Sequence, residues 1–288
     1  MPRKSEINAL IQLLDDDDQE VFKHVHDRLK SYGPEVIPDL EQVWTDELNS
    51  TTHERLEEII HEIQYECLLT DWKTWLDRES PDLLTGAFLV AQYHYPEIKF
   101  EDTLKKIAKL KQGIWLELNY NQTPLEQVQI FNQVFYAHHE FKGVQSVNDY
   151  HDLCINHVLE SRTGSPIVTG IIYQVLANEL NLPVYGVNLT RHYVLAFCKR
   201  TILDFSLAEN NEREVMFYIN PINRGSIFSR NEIKDYLDKL KIEHEPVFFT
   251  PSDNKSIIKE LLNYLIDIYG KQNNESRIRE ISYLMQLM

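Results

Sequence analysis

Apolar residues recur at three- and four-residue spacing through the first part of the chain. Ile7, Leu10, Ile11 and Leu14 form one set, and Val21, Phe22, Val25 and Leu29 a second. Val36, Ile37, Leu40, Val43 and Trp44 form a third, and Leu56, Ile59, Ile60 and Ile63 a fourth. One face of an α-helix repeats every 3.6 residues, so this spacing predicts four amphipathic helices and no strand. Asp15, Asp16, Asp17 and Asp18 read as a solvated turn that caps the second helix. Tyr32-Gly33-Pro34 stops it. Residues 83–92, 100–118 and 125–136 continue the helical pattern. Residues 161–188 read as helix, tight turn and strand, within an apolar run that extends to residue 197. Residues 193–197, 201–205 and 215–219 are rich in β-branched and aromatic residues, which predicts a small antiparallel sheet. Residues 209–213 read as a polar turn. The end of the chain, 251–288, gives two further helices joined at 270–274. The fold class is therefore α+β and predominantly helical.

The paired short helices of residues 1–80, with their acidic turn and Gly-Pro break, resemble a HEAT-type helical repeat. The pair in 251–288 resembles one tetratricopeptide-like hairpin. A single hairpin cannot bury its own apolar face, so it is expected to dock on the central domain, 81–250.

Composition narrows the function. With 43% hydrophobic and 26% charged residues in 288, the chain can bury a sizeable core. A formal net charge of -16 and the lack of a basic stripe argue against nucleic acid and anionic membranes as partners. No apolar stretch approaches the length of a membrane span, and the first residues do not read as a signal peptide. Three widely spaced cysteines, Cys67, Cys154 and Cys198, fit free thiols in a reducing cytoplasm. The Asp15 to Asp18 run lacks the glycine bend and distal Glu of an EF-hand loop, and no other metal-ligand spacing or glycine-rich phosphate loop is present. Neither a metal nor another cofactor is expected.

Candidate chemistry centres on residues 162–173, where Gly164-Ser165-Pro166 opens an apolar helix that is followed by a turn and a strand bearing His192. Papain-like and transglutaminase-like thiol enzymes share this layout. Their nucleophilic Cys stands at the helix start, where the helix dipole stabilises a thiolate. Here Ser165 is a good N-cap, Pro166 a good first helical residue, and Gly164 permits the turn before them. That structural role accounts for all three without catalysis.

The motifs Asn156-His157-Val158-Leu159-Glu160-Ser161-Arg162-Thr163-Gly164-Ser165-Pro166, Leu182-Pro183-Val184-Tyr185-Gly186-Val187, Arg191-His192-Tyr193-Val194-Leu195 and Asn220-Pro221-Ile222-Asn223-Arg224-Gly225 occur in order. Together they resemble the bacterial SirB-type branch of the transglutaminase-like superfamily, over about residues 81–288. The resemblance implies a papain-like core with a small antiparallel sheet and a C-terminal tetratricopeptide-like end. It also implies that the Cys, His and Asp places of the triad fall at Pro166, His192 and Asn220. Pro166 has no nucleophile, so the family's acyl chemistry is not expected, and the resemblance suggests a scaffold that binds a peptide or protein. The alternative is an acyl-transferring or amide-hydrolysing enzyme with a substitute nucleophile, Ser165, Thr169 or Cys154, and His192 as base. Cys198 follows His192 by six residues, roughly 20 Å along one strand, too far for a thiolate–imidazole pair. His192 is read as a buried strand residue bonded to Asn220, or as a groove-lining residue that meets a ligand. Arg162 pairs with Glu160 at the surface, or holds a carboxylate or carbonyl near the helix start. The candidate groove residues are thus Arg162, Ser165, Thr169, His192 and Asn220.

Overall fold

The computed structural model describes residues 4–16, 18–43, 50–189, 192–202, 204–206 and 208–288. Of the residues read above, Asp17, Trp44, Arg191 and Leu203 lie outside the described residues. The chain divides into two compact units, Met1–Thr74 and Trp75–Met288.

The first unit holds α1 (Lys4–Gln12), α2 (Gln19–Lys30), α3 (Ile37–Val43) and most of α4 (Ser50–Leu76). The periodic apolar residues do what their spacing predicts. Ile7, Ile11, Leu14, Val25, Leu29, Leu40, Leu56, Ile59 and Ile63 are buried in one cluster. Asp18 caps α2, its side chain accepting from Glu20 N at 2.8 Å. Lys30 ties α2 to α4 through Glu62 (2.5 Å) and Glu66 (3.0 Å).

In the second unit come α5 (Leu83–Gln92), α6 (Phe100–Glu117) and α7 (Pro124–Asn132), the last followed by a wide helical turn, Gln133–His138. Next are β1 (Lys142–Gly143), α8 (Ile155–Ser161), β2 (Thr163–Gly164) and α9 (Pro166–Glu179). β1 and β2 form a short parallel pair. The main sheet is antiparallel, in the order β3 (Val184–Leu189), β4 (His192–Cys198), β5 (Val215–Asn220), β6 (Ser226–Phe228). Between β4 and β5 lies α10 (Ala208–Glu214), and α11 (Arg230–Leu240) follows β6. The chain closes with α12 (Asn254–Lys271) and α13 (Glu275–Gln286). The C-terminal pair belongs to the second unit and docks as expected. Ile258 of α12 packs against Gly86 of α5, and Lys255 Nζ donates to Leu76 O (3.1 Å).

Three local expectations are corrected. The single apolar run from 184 to 197 is two strands, paired so that Leu189 faces His192 across the hairpin. The described part of 201–205 is not a strand. Asp204 Oδ1 accepts from Ser206 N (2.9 Å) and starts a turn, while Ile202 tucks against Tyr185 and Cys198. Residues 209–213 lie in a helix rather than a turn. Helix α11 was unread in the sequence, although Ile233 and Leu237 give it an apolar edge.

The two sides of the sheet follow from side-chain alternation. On one side Tyr193 reaches across Gly186 to α9. Its Oη donates to Gln174 Oε1 (3.4 Å), which also accepts from Gly186 N (2.8 Å). On the other, Val187, Leu189, Val194, Ala196 and Tyr218 pack with Ile233 and Leu237 of α11 and with Phe249. Among the described residues, no helix is long and apolar enough to cross a membrane.

Candidate functional site

The start of α9 is built as a cap and is closed. Ser165 has extended backbone (φ -60°, ψ 155°), and its Oγ accepts from Val168 N at 3.3 Å. Ser165 N donates to Asp152 O (2.9 Å), and Val144 N donates to Gly164 O (2.8 Å), so neighbouring segments wall in the turn. Gly164 lies against Val158, which leaves no space for a Cβ. Ser165 and Thr169 are both fully buried, and Pro166 is buried between them. One turn further on, Tyr193 and Pro221 press on Gly170. Neither hydroxyl is open to a substrate. Ser165→Ala should cost about 1 kcal/mol of stability, the usual worth of an N-cap, in a urea titration, and leave the fold intact.

The thiols are no better placed. Cys154 is the residue before α8, fully buried, with Sγ donating to Tyr150 O (3.2 Å). Burial pushes its pKa well above the ordinary thiol range, with Asp149 adding to the effect. Cys198 is equally buried and is pushed up to about 12 by burial, then by Glu214. Cys67, half-buried, is raised by burial and by Asp71 and Glu66. An activated nucleophile needs the opposite shift.

His192 and Asn220 stand elsewhere. By alternation with Val194 and Tyr218, both lie on the α11 side of the sheet, the side opposite α9. His192 is exposed, with its ring edge-on to Tyr236 of α11 at 5.3 Å between centroids. Asn220 does not orient it. Its Oδ1 accepts from Ile222 N (3.0 Å) and Asn223 N (3.4 Å), which fixes the turn into β6. The reading of His192 as a buried residue bonded to Asn220 is therefore replaced by two neighbours in one groove. Pro166, Ser165 and Thr169 share no site with them, because the sheet lies between.

Arg162 also departs from the simpler expectation. Glu160 pairs with Lys106 (2.5 Å). Arg162, at φ 62° in the left-handed region, ends α8, and its guanidinium lies 4.9 Å from the centre of the Phe141 ring. Its Nη1 is enclosed without a hydrogen-bond partner, and burial lowers its pKa.

What the structure brings together is an open groove of about 530 Å³ between the sheet and α11. Leu189, Val194, Ile227 and Ile233 supply apolar surface; Asn220, Asn223, Ser226, Glu232 and Tyr236 line it with His192. This is the volume and mixture of a small-ligand or peptide site. Glu232 is held in place by Ser229, whose N and Oγ donate to its Oε2 at 2.7 and 3.0 Å, and these bonds lower its pKa. Sequence reading found His192 and Asn220 but missed Glu232 and Tyr236. Their only signal was an i, i+4 spacing on a helix that had not been recognised. Among the described residues, no group of three or more His, Cys, Asp or Glu is placed to hold a metal.

Comparison with known proteins places these elements in context. Residues 101–263, more than half of the chain, match the profile described as the transglutaminase-like superfamily. A UPF0162 protein of Vibrio cholerae is 26% identical over 197 residues, covering 66% of this chain and 67% of that protein. A UPF0162 protein of Buchnera aphidicola is 25% identical over 182 residues, covering 61% of this chain and 62% of that protein. F-box only protein 21 of Mus musculus is 26% identical over 173 residues, 49% of this chain but 26% of that protein. No solved structure matches the chain significantly.

Proposed function

Taking as given that this chain belongs to the transglutaminase-like superfamily, we propose that it is a non-catalytic member of the SirB-type branch, a scaffold that binds a peptide or protein in the groove between the sheet and α11. The observation that carries this reading is the separation of the two places. The helix start, where family chemistry would need a thiolate, is capped, buried and occupied by Pro166. The open groove with the exposed His192 is on the other side of the sheet. A pseudoenzyme of this kind keeps the core and uses another surface. The three free cysteines fit work in the cytoplasm. The first unit is read as HEAT-like, and α12 with α13 as a tetratricopeptide-like hairpin.

The test has two parts. Purified protein is expected not to turn over peptide, amide or ester substrates, and not to form a covalent adduct with an acylating reagent at Ser165, Thr169 or Cys154. Peptides selected for binding are expected to bind His192→Ala and Tyr236→Ala roughly fivefold to tenfold more weakly, since truncating a central contact costs upwards of about 1 kcal/mol. Turnover that His192→Ala abolishes would overturn the reading in favour of an enzyme with a substitute nucleophile.

A further inference from the structure

Away from the groove, where α6, α8 and the wide turn before β1 meet, positive side chains gather without a counter-charge. Arg162 supplies the guanidinium. It lies over Phe141, which is buried and stacked on Phe135 at 4.3 Å between centroids. That contact holds the planar group in place. Among the described residues, none accepts a hydrogen bond from it, and its Nη1 is enclosed. Buried donors nearly always have an acceptor, and a charged donor left without one is the costliest case. The nearby carboxylate of Glu160 is taken by Lys106. Burial lowers the Arg162 pKa with no acid opposing it.

His139 brings a second unmatched group to the same place. It follows the turn Gln133–His138, a wide helical turn of the kind frequent at functional sites. Its Nε2 is enclosed against Gly113 of α6, again without a hydrogen-bond partner. Burial, then the charges of Arg162, His138 and Lys109, lower its pKa. Glu140, next in the chain, is exposed and forms no ion pair with these groups. Arg162 is half-buried, and Lys109 and His138 are exposed, so the cluster can be reached from solvent. In a chain of net charge -16, such a cluster runs against the general balance. An oxyanion would satisfy the open donors and remove the mutual repulsion. We propose that this cluster binds a phosphate group, with Arg162 as the forked donor and Lys109, His138 and His139 supplying further positive charge. Two permanent charges, Arg162 and Lys109, favour a dianion over a single carboxylate, and a bound dianion draws a proton onto His139.

The experiment adds sodium phosphate to the full chain at constant ionic strength, with chloride as control and acetate as the carboxylate. Binding is followed through the His139 ring by NMR. The expected result is saturable binding of phosphate, a rise in the His139 pKa as it binds, and neither effect with chloride. Arg162→Lys keeps the charge but loses the fork, and should weaken binding roughly tenfold, about the worth of one charged hydrogen bond. Lys109→Gln should weaken it roughly twofold to fivefold, as expected of an exposed charge. Lys109 is on the surface, so its variant reads binding even where Arg162→Lys does not fold. Phenyl phosphate binding as tightly as inorganic phosphate would mark the ligand as a phosphomonoester, and its exclusion would mark the free anion; each supports the site. Acetate binding as tightly as phosphate would overturn the phosphate assignment. A His139 pKa unmoved by tens of millimolar phosphate, or binding that Lys109→Gln and folded Arg162→Lys both retain in full, would overturn the site itself.

Discussion

Tyr193→Ala is expected to lower stability by about 3–5 kcal/mol, the range for deleting a large buried aromatic side chain. His192→Ala, one residue earlier, is expected to change it by no more than about 0.5 kcal/mol, as at an ordinary surface site. The contrast follows from the two sides of β4. Tyr193 is 1% exposed and fills the space over Gly170 and Gly186, so its removal leaves a cavity between α9 and the sheet. His192 is exposed beside Tyr236. Tyr193→Phe should fall between them, at about 0.5–1.5 kcal/mol. It loses the bond to Gln174 Oε1, which keeps its second partner at Gly186 N. Urea titrations of the three variants at one pH decide the matter. Equal losses in Tyr193→Ala and His192→Ala would mean that His192 also faces the interior, and that the triad places have not been separated.

Alkaline pH is expected to destabilise the protein, and native thiol labelling to be very slow. Below about pH 8.5 the thiols are protonated in both folded and unfolded chains, and their contribution to the pH dependence is nil. Above it, the unfolded chain releases the protons of Cys154 and Cys198, while the folded chain keeps them until near 12 for Cys198 and beyond for Cys154. The folded state then binds more protons, so stability falls as pH rises, by about 1.4 kcal/mol per pH unit for each of these two thiols. Alkylation needs the thiolate. At pH 8 a thiol with a pKa near 12 presents about a thousandfold less thiolate than an unperturbed one, so Cys198 should label at least about a thousandfold more slowly than in the unfolded chain. Cys154 should be slower still, and Cys67 the first of the three to react. Mass spectrometry of each cysteine against time and pH reads this directly. Fast labelling of Cys154 with a lowered apparent pKa would restore the enzyme alternative and name its nucleophile.

Much of this molecule is a local matter, and there the sequence was sufficient. The helices of the first unit are written in the spacing of Ile7, Ile11, Val25, Leu29, Leu56 and Ile63, because a 3.6-residue repeat can bury only one face. The bounds of α5 match the apolar run 83–92, and the α9 cap follows from the chemistry of a hydroxyl next to a proline. The transglutaminase-like core was legible too, because its short motifs stand in order along the chain. α11 escaped notice because its polar residues outweigh the few apolar ones that seat it. The stretch at 201–205 misled because its β-branched and aromatic content is spent on packing against Tyr185 and Cys198 rather than on a ladder.

The sequence by itself thus determined most of the helices, the superfamily and the proline that stands at the helix start. Which side of the sheet each candidate occupies was decided only in three dimensions. Sequence order places Pro166, His192 and Asn220 at the positions of a triad. A strand, however, turns successive side chains to opposite sides, and a shift of one residue moves a side chain through the sheet. The register of β4 against β3 and β5 puts Tyr193, not His192, over α9, and so closes one site and opens another. That register is set by the packing of Val187, Val194, Ala196 and Tyr218 against α11 and Phe249, residues far apart in the sequence, which no local pattern records.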